Sequence, residues 1–128
     1  MIFKTINKYQ VIDITDKVKA EVKKSKIKNG LCIIYCPHAT AAVVINESWD
    51  PEIGDDLLEA LSNLIPEGKW RHDRIDNNAA AHIKAAILGP SETVLIRNGE
   101  LVLGRWQNIF FVELDGPRER REIIVEVK

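Results

Sequence analysis

No stretch of the chain approaches the roughly 20 consecutive apolar residues that a helix needs to cross a bilayer. The N-terminal run Met1-Ile2-Phe3-Lys4-Thr5-Ile6 has neither the long apolar core nor the small-residue cleavage site of an export signal. A cytoplasmic location is the expectation, with no membrane partner. Cysteine is scarce: Cys32 and Cys36 are the only two. Four positions apart on one extended segment, they would stand about 13 Å apart, beyond disulfide reach, and they read as buried thiols in a reducing compartment. Neither charge is in excess, with 18 basic and 19 acidic residues giving a net charge of −1. Coating nucleic acid needs a basic surplus to displace counterions, so nucleic acid is not an expected partner. The lysines from Lys17 to Lys28 lack interleaved aromatics that would stack on bases, and they describe a solvated helix face. There is no phosphate-cradling glycine loop and no nucleophile elbow, and Cys36 has no electropositive setting that would make it a nucleophile.

What is present is one ordinary domain's worth of chain, residues 1–128, with 45% apolar and 29% charged residues, a globular balance. Segments around Ile2 to Ile6 and Tyr9 to Thr15 alternate as half-buried strands do. Thr15-Asp16 opens a helix carrying Val18 and Val22. Asn29-Gly30 turns the chain into Leu31 to Cys36, apolar on both faces, and Ala42 to Ile45 is a second apolar strand. Asp50-Pro51 starts a helix whose stripe Ile53, Leu57, Leu61, Leu64 and Ile65 is predicted to be core, with Pro66 as its stop. The stretch from Pro66 to Asn77 shows no periodicity. A helix over Ala79 to Leu88 ends at Gly89-Pro90. The remainder is β: a hairpin from Glu92 to Leu103 around Asn98-Gly99, then Asn108 to Leu114 and Arg118 to Val127. The predicted architecture is an α+β domain of mixed, mainly antiparallel sheets with two to three helices.

Polar groups with chemistry to offer bracket the second apolar strand. His38 and Thr40 precede it, and Asn46 and Glu47 follow. The other two histidines, His72 and His82, each lie near Asp or Asn residues. Three imidazoles can hold a zinc ion and leave a fourth position open for water or substrate, although the spacing of these three matches no local zinc motif. Glu47 is a candidate general base or ligand, and an exposed acid near a helix start is its plainer role. Arg118, Arg120 and Arg121 follow a Gly-Pro turn, where guanidinium forks can clamp a phosphate or carboxylate or instead pair with Glu113, Glu119 or Glu122.

Taken together, His38-Ala39-Thr40, Asn46-Glu47 with Asp50-Pro51, His72-Asp73, Asn78 with His82-Ile83-Lys84, Gly89, Gly104-Arg105-Trp106-Gln107, Glu113 and Gly116-Pro117-Arg118 resemble the YjbQ-like proteins of the UPF0047 group. The resemblance covers nearly the whole chain. It implies an α+β homotrimer with the shared polar residues in one pocket and a divalent metal, zinc or else magnesium, at His38, His72 and His82. No organic cofactor is implied. Asn46, Glu47 and Arg118 would be the catalytic groups, acting on a small phosphorylated ligand or anion, and a weak thiamine-phosphate synthase activity is associated with the group. The alternative is a non-catalytic trimeric ligand-binding or moonlighting protein. Arg105 and Ala80 depart from the usual pattern, which has Thr before Trp-Gln and a polar or acidic residue between Asn78 and His82. The expected geometry is specific: His38 points toward His72 and His82, and Asn46-Glu47 returns to the same pocket.

Overall fold

The structure, a computed structural model, describes residues 1–128. In chain order the elements are β1 (Ile2–Thr5), β2 (Gln10–Asp13), α1 (Thr15–Ser25), β3 (Gly30–Tyr35), β4 (Ala41–Glu47), α2 (Glu52–Leu64), α3 (Asp73–Asp76), α4 (Ala79–Leu88), β5 (Ser91–Arg97), β6 (Glu100–Leu101), β7 (Gln107–Glu113), β8 (Arg118–Glu122) and β9 (Ile124–Val127). The strands form three antiparallel sheets in the orders β6-β5-β3-β9, β2-β7-β4 and β1-β8. This is a mixed α+β fold. No helix is long and apolar enough to cross a membrane.

The three-stranded sheet is covered on both faces, which is why β4 reads as a continuous apolar run. Its Ala41 and Val43 join Ile109 and Phe111 of β7, Cys32 and Ile34 of β3, and Val18 and Val22 of α1 in the main core. Ala42 and Val44 point the other way, with Val112, onto Ala81 and Ala85 of α4. Successive side chains of a strand alternate faces, so one strand serves both clusters. On α1 the two valines four apart face inward, and Lys17, Lys19, Lys23 and Lys24 face water. The two thiols are free, fully buried and pushed up to about 11 by that burial.

The structure differs from the sequence expectation in four places. The aperiodic stretch after Pro66 contains a fourth helix, the single turn α3. Asp73 organises it, since its Oδ2 accepts the Trp70 amide and its Oδ1 accepts the Ala79 amide that opens α4. The stretch from Arg118 to Val127 is two strands, because Ile123 is buried between them and β8 and β9 belong to different sheets. The hairpin strand predicted to reach Leu103 stops at Leu101, though its turn is as expected, with Asn98 and Gly99 both at positive φ. The α2 stripe is only partly core. Leu61 and Ile65 are buried, whereas Ile53 and Leu57 are half-buried and Leu64 is 77% exposed. That incomplete cover leaves an open cleft beneath the helix.

Candidate functional site

The β4–β7 ladder runs in register from Ala41 opposite Glu113 to Glu47 opposite Gln107. Six steps of about 3.3 Å separate its ends by roughly 20 Å. Every candidate residue that touches the ladder belongs to one end or the other.

At the Glu113 end, the turn into β8 and the start of α4 meet. Asn78 Nδ2 donates to Asp115 Oδ2 at 3.0 Å, and the same oxygen accepts Nη2 of Arg118 at 2.9 Å. Arg118 Nε donates to the Asp115 carbonyl, which fixes the guanidinium plane and leaves Nη1 without a protein partner. Asn78 Oδ1 is a buried acceptor with no donor. One helical turn on, His82 packs edge-to-face with His72, their ring centroids 5.0 Å apart. The turn needs Gly116, because a Cβ there would lie 2.1 Å from the Asn7 carbonyl oxygen and 2.9 Å from Glu113 Cγ. Here the structure brings together His72, His82, Asn78 and Arg118.

Behind this turn lies a buried ion pair that holds β8 to the ladder. Arg121 is 5% and Glu113 0% exposed. Arg121 Nε and Nη2 donate to the two carboxylate oxygens, and Nη2 also reaches Thr40 Oγ1 at 2.9 Å. Glu113 accepts further bonds from Thr5 Oγ1 and from the amides of Leu114 and Asp115. Burial alone would raise its carboxyl, and these donors outweigh it, holding the group below its ordinary range. Of the two roles open to Arg121, ion pairing is the one observed.

His38 is not part of the imidazole pair. Its Nε2 accepts the Glu122 amide at 2.9 Å, so the ring carries its proton on Nδ1 and has no spare lone pair. Burial and the neighbouring Arg121 guanidinium hold it below the usual histidine range, that is, neutral. The expectation that His38, His72 and His82 form one centre is therefore not met within a single chain, and no group of three His, Cys, Asp or Glu residues is placed to hold a metal ion. Two imidazoles fall short of the three protein ligands of a catalytic zinc.

Asn46 and Glu47 likewise do not return to the histidines, because the length of β4 carries them to the other end of the ladder. There they line a cleft of about 390 Å³ between α2 and the sheet. Its floor is apolar, including Val11, Val44, Leu58 and Phe110, and Asp13, Glu47, Asp50 and Asp55 stand around it. No lysine, arginine or histidine lines it, and none of the four acids is in a salt bridge. Asp13 is kept ionised by donors from Thr15 and Asn108 against the upward push of burial. Glu47 accepts the Asp50 amide ahead of α2. Beside them Trp49 and Trp106 pack edge-to-face with centroids 5.2 Å apart, and Arg105 lies over Trp106. The Gly104-Arg105-Trp106-Gln107 segment thus belongs to this end.

Two further members were given no role by the sequence. Asp115 is the hub of the Arg118 end. Lys84 is 1% exposed, although a lysine on a helix is ordinarily placed in water. Its Nζ donates to Tyr9 Oη at 3.1 Å and stands 4.4 Å from the Tyr9 ring centroid, bracing that wall of the cleft, and Tyr9 Oη in turn donates to Glu67. Ala80 is buried on α4, so the departure at this position lies in the packed interior.

The family model for UPF0047 proteins of the YjbQ-like type matches residues 1–128. A UPF0047 protein of Archaeoglobus fulgidus is 47% identical over 122 residues, covering 94% of each chain. One from Methanocaldococcus jannaschii is 43% identical over 124 residues, covering 97% of this chain and 88% of that protein. The crystal structure of an uncharacterised YjbQ/UPF0047 protein from Clostridium acetobutylicum superposes with a TM-score of 0.95 at 42% identity, covering 100% of this chain and 98% of that one. A protein of unknown function from Sulfolobus solfataricus superposes with a TM-score of 0.96 at 42% identity, covering 99% and 92%.

Proposed function

This chain belongs to the UPF0047 YjbQ-like family, and from its site we propose a homotrimeric enzyme that acts on a small phosphorylated substrate. The observation that supports this most is the Arg118 end. Asp115 holds the Arg118 guanidinium, with its Nη1 free of any protein partner. The same carboxylate oxygen holds Asn78, whose buried Oδ1 is unpartnered and which lies one helical turn before the His82 ring paired with His72. A fixed fork of N–H donors suits phosphoryl oxygens, and a buried acceptor without a donor is satisfied by a ligand N–H or O–H. In the thiamine-phosphate version, a thiazole nitrogen attacks the methylene carbon of a pyrimidine diphosphate. The carbon–oxygen bond breaks, and pyrophosphate leaves with the electron pair toward Arg118. Charge developing on the departing oxygens is what a preorganised guanidinium stabilises. A zinc or magnesium ion at His72 and His82 would need a donor from outside the chain, so the step rests on the protein groups alone.

A binding protein without turnover is the second reading, favoured by the roughly 20 Å of ladder between Glu47 and the Arg118 end. Incubation with the pyrimidine diphosphate and the thiazole phosphate separates the two. The enzyme reading expects thiamine phosphate to form, and both His82→Ala and Arg118→Ala to abolish it. Product formation unchanged in both variants would remove this site from the reaction, and saturable binding without product would establish the second reading.

A further inference from the structure

The Arg118 end sets a free acceptor close to its free donor, and a fully ionised anion can satisfy only the donor. We infer that Asn78 is the specificity-determining residue of this end, its Oδ1 accepting a proton that the bound oxyanion still carries. The site therefore takes hydrogen phosphate, or a phosphorylated ligand that keeps a P–O–H group, and turns away sulfate. The inference deepens the proposed function and rests on its phosphoryl-binding reading.

Three observations carry it. The first is the state of the Asn78 amide. A carboxylate only accepts, and Nδ2 donates to Asp115 Oδ2 at 3.0 Å, so Oδ1 is the atom left over. That oxygen is buried and meets no donor, although the residue as a whole is only half-buried. Buried acceptors are otherwise almost always matched. Nor is the oxygen engaged in starting α4: Asn78 makes no side-chain bond to the helix, and the Ala79 amide is taken by Asp73 Oδ1.

The second is proximity. Arg118 Nη2 donates to the same Asp115 oxygen at 2.9 Å. Two bonds of ordinary length to one atom keep the Asn78 and Arg118 nitrogens within about 6 Å of each other. The free Nη1 of the guanidinium and the free Oδ1 of the amide thus hang from one carboxylate.

The third is charge. Arg71, Arg74 and Arg118 at this end are matched by Asp73, Asp76 and Asp115. No cationic surplus is left for a fully ionised anion, and the Asp115 carboxylate opposes one. A proton kept on the ligand lowers its charge and supplies the donor that Oδ1 lacks. Arg118 then donates to a P–O⁻ oxygen, and the P–O–H group donates to Asn78.

Phosphate and sulfate share a tetrahedral shape and nearly the same size. Near neutral pH every form of inorganic phosphate carries a proton, whereas sulfate carries none. Sulfate would set a bare oxygen against the amide oxygen, and a site built around a hydrogen bond rejects the analogue that cannot make it.

Calorimetric titration of the native chain with inorganic phosphate and with sulfate, at neutral pH and one ionic strength, tests this. Phosphate is expected to bind about 10–100-fold more tightly, the scale of leaving a buried acceptor unsatisfied. In Asn78→Ala the two affinities should come within about threefold of each other. The same is expected of Asn78→Ser, which keeps a residue suited to starting a helix and guards against misfolding of the first variant. Equal binding of phosphate and sulfate by the native chain would overturn the inference and leave the phosphoryl reading standing. A preference that persists undiminished in both variants would likewise overturn the assignment to Asn78. Binding of neither anion, nor of pyrophosphate, would overturn the phosphoryl reading and the inference with it.

Discussion

Replacing Arg121 with alanine is expected to destabilise the fold by about 3–5 kcal/mol, a large part of the 5–15 kcal/mol typical of a domain. For a chain of this size that corresponds to a fall in Tm of roughly 10–20 °C. The cost arises on the other side of the pair. Glu113 is fully buried, and with Arg121 gone it keeps Thr5 and two backbone amides as donors but has no countercharge. The effect has a pH signature. In the native chain Glu113 sits below its ordinary value of 4.5, so its contribution is fully present above about pH 4.5 and is lost as pH falls through the lower folded value. In Arg121→Ala burial dominates and raises that carboxyl, so the penalty is relieved on acidification. Urea melts at pH 7 and at pH 4 should show the gap between the two proteins narrowing in acid. Exchanging both partners for leucine should restore much of the loss, because a buried pair is costly to break but not to replace with apolar groups.

Lys84 gives the second large effect, and here two substitutions should diverge. Lys84→Ala removes a fully buried side chain from beneath Tyr9 and is expected to cost roughly 2–4 kcal/mol, as large-to-small core changes do. Lys84→Met keeps most of the volume and removes a desolvated charge, and should be neutral or stabilising by about 1–2 kcal/mol. Burial holds the ammonium below its usual range, with Glu67 opposing, so the folded state binds its proton less tightly than the unfolded state does. The advantage of methionine is therefore greatest at neutral pH and shrinks as pH rises through the lowered folded value. Thermal melts of the three proteins measure both. Stabilisation by methionine would identify Lys84 as a residue kept for placing Tyr9 against the cleft at a cost in stability.

Much of the fold was legible because local chemistry and tertiary position agree. Asn98-Gly99 supplies the two positive-φ residues of a tight hairpin, and Gly89 ends α4 where positive φ is required. The valines of α1 and the double-sided run of β4 follow from periodicity alone. Other features depended on partners distant in sequence. Nothing local divides Arg118 to Val127 at Ile123, since the break reflects pairing with β1 on one side and β3 on the other. The site was legible as residues and not as a place. His72, His82, Asn78 and Arg118 do converge, but the seven-residue strand that begins just after Thr40 and ends at Glu47 already fixes a separation too long for one pocket. Lys84 broke the pattern because its hydrogen-bond partners lie on α2 and just before β2.

The central claim is that the Arg118 end binds a phosphoryl group, and calorimetric titration with inorganic pyrophosphate tests it most directly. Saturable binding is expected, weakened about 10–100-fold in Arg118→Ala, the scale of losing charge-assisted hydrogen bonds, and unchanged in Lys23→Ala on the solvated face of α1. No saturable binding, or equal weakening in both variants, would contradict it.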